Sequence, residues 1–193
     1  TETSIAAMPD ALAAAADVGG SVQLCVATTF TCPFEGEVPL ARFERILDDD
    51  RTDGAVDVVV CDTLGQAHPA EVRRRVARAA ELRPELGIVY HGHDTWGLGV
   101  ANAAAAVEGG ANVLDGALGG LGGCPFAPGA SGNTALEDLA FALRPEWVRP
   151  DTFGSLVRLG EEITGALEEP NRSRARSGAR SKAEAFEWVL PRG

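Results

Sequence analysis

The spacing of apolar positions changes regularly along this chain, and each change marks an element. Ser4 to Val18 is built on alanine and reads as a helix that Gly19-Gly20 stops. Val22 to Phe30 is a β-branched apolar run and predicts a buried strand. After the loop T-C-P-F-E-G-E-V-P, Leu40 to Leu47 predicts a helix with Pro39 just before it. Asp48-Asp49-Asp50 opposes the helix dipole, so that helix should end ahead of them. A second strand is expected over Val56–Cys61, running into D-T-L-G at 62–65. Pro69–Leu82 predicts an amphipathic helix whose Arg73, Arg74, Arg75 and Arg78 form a solvated face. Gly87–His93 is the third strand. Thr95–Glu108 is a helix apolar or small nearly all round, and Gly109-Gly110 ends it. Asn112–Ala117 is the fourth strand, and a glycine-rich loop follows it. The last helix expected is Thr134–Leu143, with Asn133 placed as its N-cap.

Strands alternating with helices of about 10 to 15 residues indicate βαβ units, hence an α/β fold with parallel strands. Past Glu168 the composition turns polar and Arg/Ser-rich, so a disordered tail is expected over 169–193. The closing A-E-A-F-E-W-V-L-P would add at most a short helical turn. The chain thus divides into a domain over 1–168 and a tail. With 193 residues, 45% of them hydrophobic, it can build a sizeable core. A net charge of -11 and a pI near 4.7 exclude the basic face that a nucleic-acid partner needs. No apolar run approaches the roughly 20 residues of a membrane span. The polar, acidic start T-E-T-S carries no signal-peptide pattern. Four widely spaced cysteines do not suggest a disulfide framework, and a reduced cytoplasmic setting is expected. Two of them, Cys25 and Cys61, lie in apolar strands and read as core.

In a parallel α/β sheet, ligands bind at the carboxyl ends of the strands. Polar residues collect there: Thr28, Thr29 and Cys32 after the first strand, Asp62 and Thr63 after the second, His91, His93 and Asp94 at the third, and Asp115 in the fourth. His91 and His93 are i and i+2 on a strand, so both face one side. They can bind a divalent metal or simply make hydrogen bonds at a strand end. Asp94 and Asn133 add oxygen donors, and a mixed nitrogen–oxygen set favours Mg²⁺ or Mn²⁺ over structural zinc. Cys124 stands in a glycine loop where a reactive thiol is one reading; the glycines otherwise allow close backbone approach to a ligand. Asp62 has two readings as well, a functional carboxylate or a loop hydrogen-bond acceptor. His68 reads as a surface residue.

Four segments carry a resemblance: T-C-P-F-E-G-E-V-P (31–39), D-T-L-G (62–65), H-G-H-D-T-W-G-L-G-V-A-N (91–102) and G-L-G-G-C-P-F-A-P-G-A-S-G-N (120–133). Over roughly residues 5 to 165 the chain resembles the hydroxymethylglutaryl-CoA lyase family, within the metal-dependent lyases and Claisen-type synthases built on a TIM barrel. The last segment is the most specific for the lyase branch. The resemblance implies Mg²⁺ or Mn²⁺ on His91, His93 and Asn133. It implies catalytic roles for Cys124, His91 and Asp62, with Thr28 and Asp94 near an acyl-CoA substrate. The implied reaction is a retro-Claisen cleavage to acetyl-CoA and a keto acid such as acetoacetate, as in leucine degradation; a Claisen-type synthase is the runner-up.

Two departures from the family pattern are local: Gly92 stands where the family often has Cys, and Cys61 where Gly or Ala is usual. A third is larger. The family's Arg-Asp-Gly-like first strand, which brings a metal-binding aspartate and an arginine, has no counterpart, since R-T-D-G (51–54) lies at the opposite end of a strand. The four strands correspond to the C-terminal half of a barrel that needs eight. A homo-oligomer, or a missing N-terminal half, is therefore the expected complement. An inactive half-barrel fragment or binding module is the alternative function.

Overall fold

The structure, a computed structural model, describes residues 2–124, 131–183 and 185–190. The chain opens with two helices, α1 (Glu2–Ala6) and α2 (Met8–Asp17), where one was expected. Pro9 explains the break: it has no amide hydrogen to donate and its ring crowds the preceding turn, so it starts a helix instead of continuing one. Next come β1 (Gln23–Val26), a small antiparallel hairpin of β2 (Thr31–Cys32) and β3 (Gly36–Glu37), and α3 (Leu40–Leu47). The alternation continues with β4 (Asp57–Asp62), α4 (Pro69–Leu82), β5 (Gly87–Gly92), α5 (Gly99–Glu108) and β6 (Val113–Asp115). It closes with α6 (Leu136–Leu143), α7 (Pro150–Ala166) and α8 (Arg174–Ala179). Among the described residues no helix is long and apolar enough to cross a membrane.

β1, β4, β5 and β6 form one sheet, in that order, every pairing parallel. Their order in space follows their order in the chain. Crossovers between parallel strands are right-handed, so a sheet that grows in one direction receives its helices on one face. That face carries the core: Leu24, Val26, Val58, Val60, Ile88 and Tyr90 pack there against Phe43, Leu47, Val72, Val76 and Ala106. The opposite face, which a complete barrel encloses, is covered by no helix among the described residues. Alternation along the strands puts Gln23, Cys25, Val59, Cys61, Val89, His91, Val113 and Asp115 on it.

Several expectations change. Cys25 is exposed on the open face and is not core. Arg75 is not part of a solvated face. It is 1% exposed, with its guanidinium donating to Thr29 O at 2.5 Å, Val38 O at 2.6 Å and Glu71 Oε1 at 2.6 Å, and it stacks 5.4 Å from the Phe30 ring. It thereby fixes the chain between β1 and α3, which would otherwise leave buried carbonyls without donors. Asn133 is not a helix cap, because α6 starts later and its N-cap position is Ala135.

Past Glu168, where a disordered tail was expected, the chain folds back. Ser173 caps α8 by accepting from Arg176 N–H at 2.9 Å. Buried Asp138 of α6 accepts from Ala175 N–H at 2.7 Å and from the Ser173 hydroxyl at 2.7 Å. Trp188 then packs against Phe141 and Phe153, with Arg144 over its ring. The tail is polar, but its partners lie some 35 residues earlier, beyond the reach of a local compositional reading. Helix α7 was also not foreseen. Its interior glycines lower helix propensity, yet Gly160 is required by packing, since a Cβ there would collide with Glu137 Oε1.

Candidate functional site

The motifs meet at the carboxyl ends of β4, β5 and β6. The D-T-L-G turn lies directly on the H-G-H-D-T segment. Gly65, at φ +64°, allows this approach, since a Cβ would lie 2.8 Å from His93 O. His93 N–H donates to Asp62 O at 3.2 Å. The Asp62 carboxyl, 1% exposed, accepts from the Gln66 and Ala67 amides, each at 3.1 Å. Burial pushes it above the usual carboxylate range, against the pull of those amides. Through these contacts the Asp62 carboxyl holds the 62–67 turn.

His91 points onto the open face. Its Nδ1 lies 2.9 Å from Oδ2 of Asp115, the residue opposite it on β6. A carboxylate there selects the tautomer with the proton on Nδ1 and leaves the Nε2 lone pair free. The His93 ring centroid is 5.3 Å from that of His91, as same-face spacing requires. His93 is only 4% exposed and its Nδ1 has no hydrogen-bond partner. Burial, and secondarily His91, hold its imidazole below the ordinary histidine value, so it stays neutral.

Asn133 reaches His93 through an isolated antiparallel bridge, flanked by Asp94 N–H to Gly132 O and Thr134 N–H to Gly92 O, both at 3.0 Å. Its Nδ2 donates to Leu121 O at 2.8 Å, which fixes the amide orientation. Its Oδ1 is then buried without a partner. Orphaned buried acceptors are rare and call for an explanation. Here an amide oxygen and an imidazole nitrogen, unpartnered on residues bridged to each other, adjoin a second imidazole. Those three side chains fit a hard or borderline divalent cation such as Mg²⁺ or Mn²⁺. The set is incomplete: among the described residues no three of His, Cys, Asp or Glu converge to hold a metal.

The glycine loop is explained at both of its arms. Gly119, Gly120 and Gly122 all have positive φ, as does Gly132 on the return arm. A Cβ on Gly122 would lie 2.5 Å from Asn133 Nδ2, and one on Gly132 would strike Gly122 O. Glycine lets the two arms touch, and the contact lies two residues from Cys124. Cys124 is partly exposed at the end of the first arm. The remainder of the expected closing loop, 125–130, lies outside the described residues. Glu137, for which the sequence offers no signal, is fully buried; both its oxygens accept from Gly119 N–H, at 3.0 and 2.9 Å. Burial pushes its carboxyl up.

The two residues expected near a substrate are not brought together. Thr28 bridges to Asp62 and lines a cavity of 410 Å³ at the free edge of β1, with Cys25, Thr29 and Cys32. Asp94 Oδ1 accepts from Gly99 N–H at 2.7 Å, at the start of α5, and Asp94 lines a different cavity of 500 Å³ beside Phe141, Phe153 and Trp188.

Residues 1–159 match the protein-family profile described as HMGL-like. Over 118 residues the chain is 40% identical to hydroxymethylglutaryl-CoA lyase YngG of Bacillus subtilis (strain 168), covering 61% of this chain and 40% of that protein. Over 116 residues it is 40% identical to (R)-citramalyl-CoA lyase of Chloroflexus aurantiacus, covering 60% of this chain and 37% of that one. The structure superposes on an HMG-CoA lyase of Acinetobacter baumannii, solved with coenzyme A and 3-methylmalate, with a TM-score of 0.81 and 32% identity. That match takes in 95% of this chain and 60% of the other. The parallel sheet is thus part of the barrel seen in HMG-CoA lyases, and the chain spans about half the length of the proteins it matches.

Proposed function

Because the chain belongs to the HMGL-like family, we propose that it contributes its share of the site to a divalent-metal-dependent retro-Claisen cleavage of a 3-hydroxyacyl-CoA. The products would be acetyl-CoA and a keto acid such as acetoacetate. The observation that carries this reading is the pair of buried polar atoms without a partner, Asn133 Oδ1 and His93 Nδ1, beside His91.

His91, His93 and Asn133 would hold Mg²⁺ or Mn²⁺, which when bound supplies Lewis-acid polarisation of the substrate oxygens. Asp115 orients His91 through its Nδ1, so that Nε2 is the nitrogen left to meet a metal. Burial keeps His93 neutral and available as a donor. Asp62 acts as a positioning residue: its carboxyl fixes the 62–67 turn, on which the backbone of His93 rests. Cys124 carries the proton that leaves or reaches the acetyl carbon, and the glycine arms set its approach. The aspartate and arginine absent from these strands come from the other half of a complete barrel.

The test is acetyl-CoA release from hydroxymethylglutaryl-CoA with Mg²⁺ or Mn²⁺, by the chain joined to a half-barrel that supplies the missing aspartate and arginine. The expected result is metal-dependent release that falls on the order of 100-fold or more in Cys124→Ala. Release indifferent to metal or to Cys124 sinks the assignment. The 40% identity to a citramalyl-CoA lyase favours one second reading, a related 3-hydroxyacyl-CoA as substrate; running the same assay on citramalyl-CoA separates the two. The incomplete donor set supports the non-enzymatic alternative, a half-barrel binding module, which predicts no turnover of either substrate.

A further inference from the structure

Cys25 and Cys61, which the proposed chemistry does not use, lie on the open face of neighbouring strands with their sulfurs 3.5 Å apart. Cys25 is exposed and Cys61 is buried beside Val59 and Val89. Cys61 is also the direct cross-strand partner of His91. We infer that Cys25 and Cys61 form a redox-convertible dithiol, a modification site that peroxides oxidise to a disulfide joining β1 to β4.

In the chain by itself the exposed sulfur, that of Cys25, reacts first. The Cys25 thiolate attacks a peroxide oxygen; an S–O bond forms, the O–O bond breaks, and the leaving hydroxide takes up a proton to become water. The Cys61 sulfur, already in contact, then attacks the Cys25 sulfur. The S–S bond forms, the S–O bond breaks, and the departing hydroxide takes the Cys61 proton. Two thiols lose two electrons and one peroxide becomes two waters. A resolving thiol in contact with the sulfenic sulfur makes the second step fast relative to further oxidation.

The register also says what kind of disulfide results. Val59, not Cys61, lies directly opposite Cys25. The cysteines are diagonal neighbours, whose Cα atoms in paired strands lie about 7–8 Å apart, beyond what a disulfide spans without backbone movement. The link therefore forms with some backbone adjustment and is readily reduced, the behaviour of a switch and not of a structural staple. It sits one strand from His91, so oxidation stiffens the sheet beside the proposed donors.

The test uses the whole chain, treated with hydrogen peroxide, denatured, and titrated for free thiols. The expected count falls from the four thiols of the sequence to two, and dithiothreitol restores all four. Cys32→Ser and Cys124→Ser, each starting with three thiols, should still lose two together, whereas Cys25→Ser and Cys61→Ser should form no intrachain disulfide. Mass spectrometry of the Cys32→Ser variant should find the Cys25 and Cys61 peptides linked. Irreversible oxidation of Cys25 with Cys61 left free would overturn the proposal, as would a disulfide to Cys32 or Cys124, or a link between two chains.

Discussion

On one face of the sheet, Leu24, Val26, Val58, Val60, Ile88 and Tyr90 are buried under helices; on the other, Val59, Cys61 and Val89 form a small buried cluster. The strands are the same, and strict alternation assigns their residues to the two faces. The helix-covered face holds the fold together, and its side chains are aliphatic apart from Tyr90 and the strand-end Asp62. The open face carries the sulfur, imidazole and carboxylate groups: Cys25, Cys61, His91 and Asp115. Stability and chemistry are thus separated by the pleat, and substitutions on the two faces should differ in kind.

The largest contrast is between Val60→Asp and Val113→Asp. Val60 is fully buried, and a carboxylate there has no partner, so the variant should not fold, as circular dichroism would report. Val113 is 50% exposed on the open face, and the same change should shift stability by no more than about 0.5 kcal/mol. If both variants fold equally well, the assignment of faces is wrong.

Next is Arg75→Ala. It leaves Thr29 O and Val38 O buried without their donors and should cost about 3 kcal/mol in denaturant unfolding. A neighbouring exposed arginine, Arg74, changed in the same way should cost almost nothing.

A smaller effect sharpens the packing of the covered face. Gly92 lies under Tyr90, and a Cβ at 92 would come within 2.8 Å of the Tyr90 ring and hydroxyl. Gly92→Cys should cost about 1–3 kcal/mol by overpacking. Combined with Tyr90→Val, it should cost less than the sum of the two single changes, so a double-mutant cycle reads a favourable coupling. Strict additivity would mean that the tyrosine does not occupy this space.

The smallest effects are in pH dependence, and their signs oppose. His93, held below the ordinary histidine value by burial, is protonated in the unfolded chain first. Its contribution is present above pH 6.5 and is lost as pH falls through its depressed value. Glu137, held above 4.5 by burial, contributes stability below that pH that is lost as pH rises through its raised value. His93→Gln and Glu137→Gln should each flatten one limb of the stability–pH profile, by less than about 1.4 kcal/mol per pH unit.

Much of this arrangement was legible in the chain. The α3 and α4 spans were read to the residue, because Pro39 and Pro69 open those helices and the apolar spacing is regular. The i, i+2 histidines put their shared face on the page at once. What local patterns could not supply was contact across long separations. Arg75 looks like any helical arginine until Thr29 and Val38 appear beside it. The polar tail is ordered by Asp138, and Asn133 serves a bridge to His93 where a helix cap was expected. Cys25 lies in an apolar run, but alternation puts it, unlike Leu24 and Val26, on the face that this chain leaves open.

The central claim is that His91, His93 and Asn133 form three-quarters of a divalent-metal site that lacks only a carboxylate. Electron paramagnetic resonance titration of the chain with Mn²⁺ tests it most directly, using His91→Ala, Asn133→Ala and Asp62→Asn. The account predicts weak binding, abolished by the first two changes and unaffected at the metal by the third. Binding that survives loss of both His91 and Asn133, or that depends on Asp62, contradicts it.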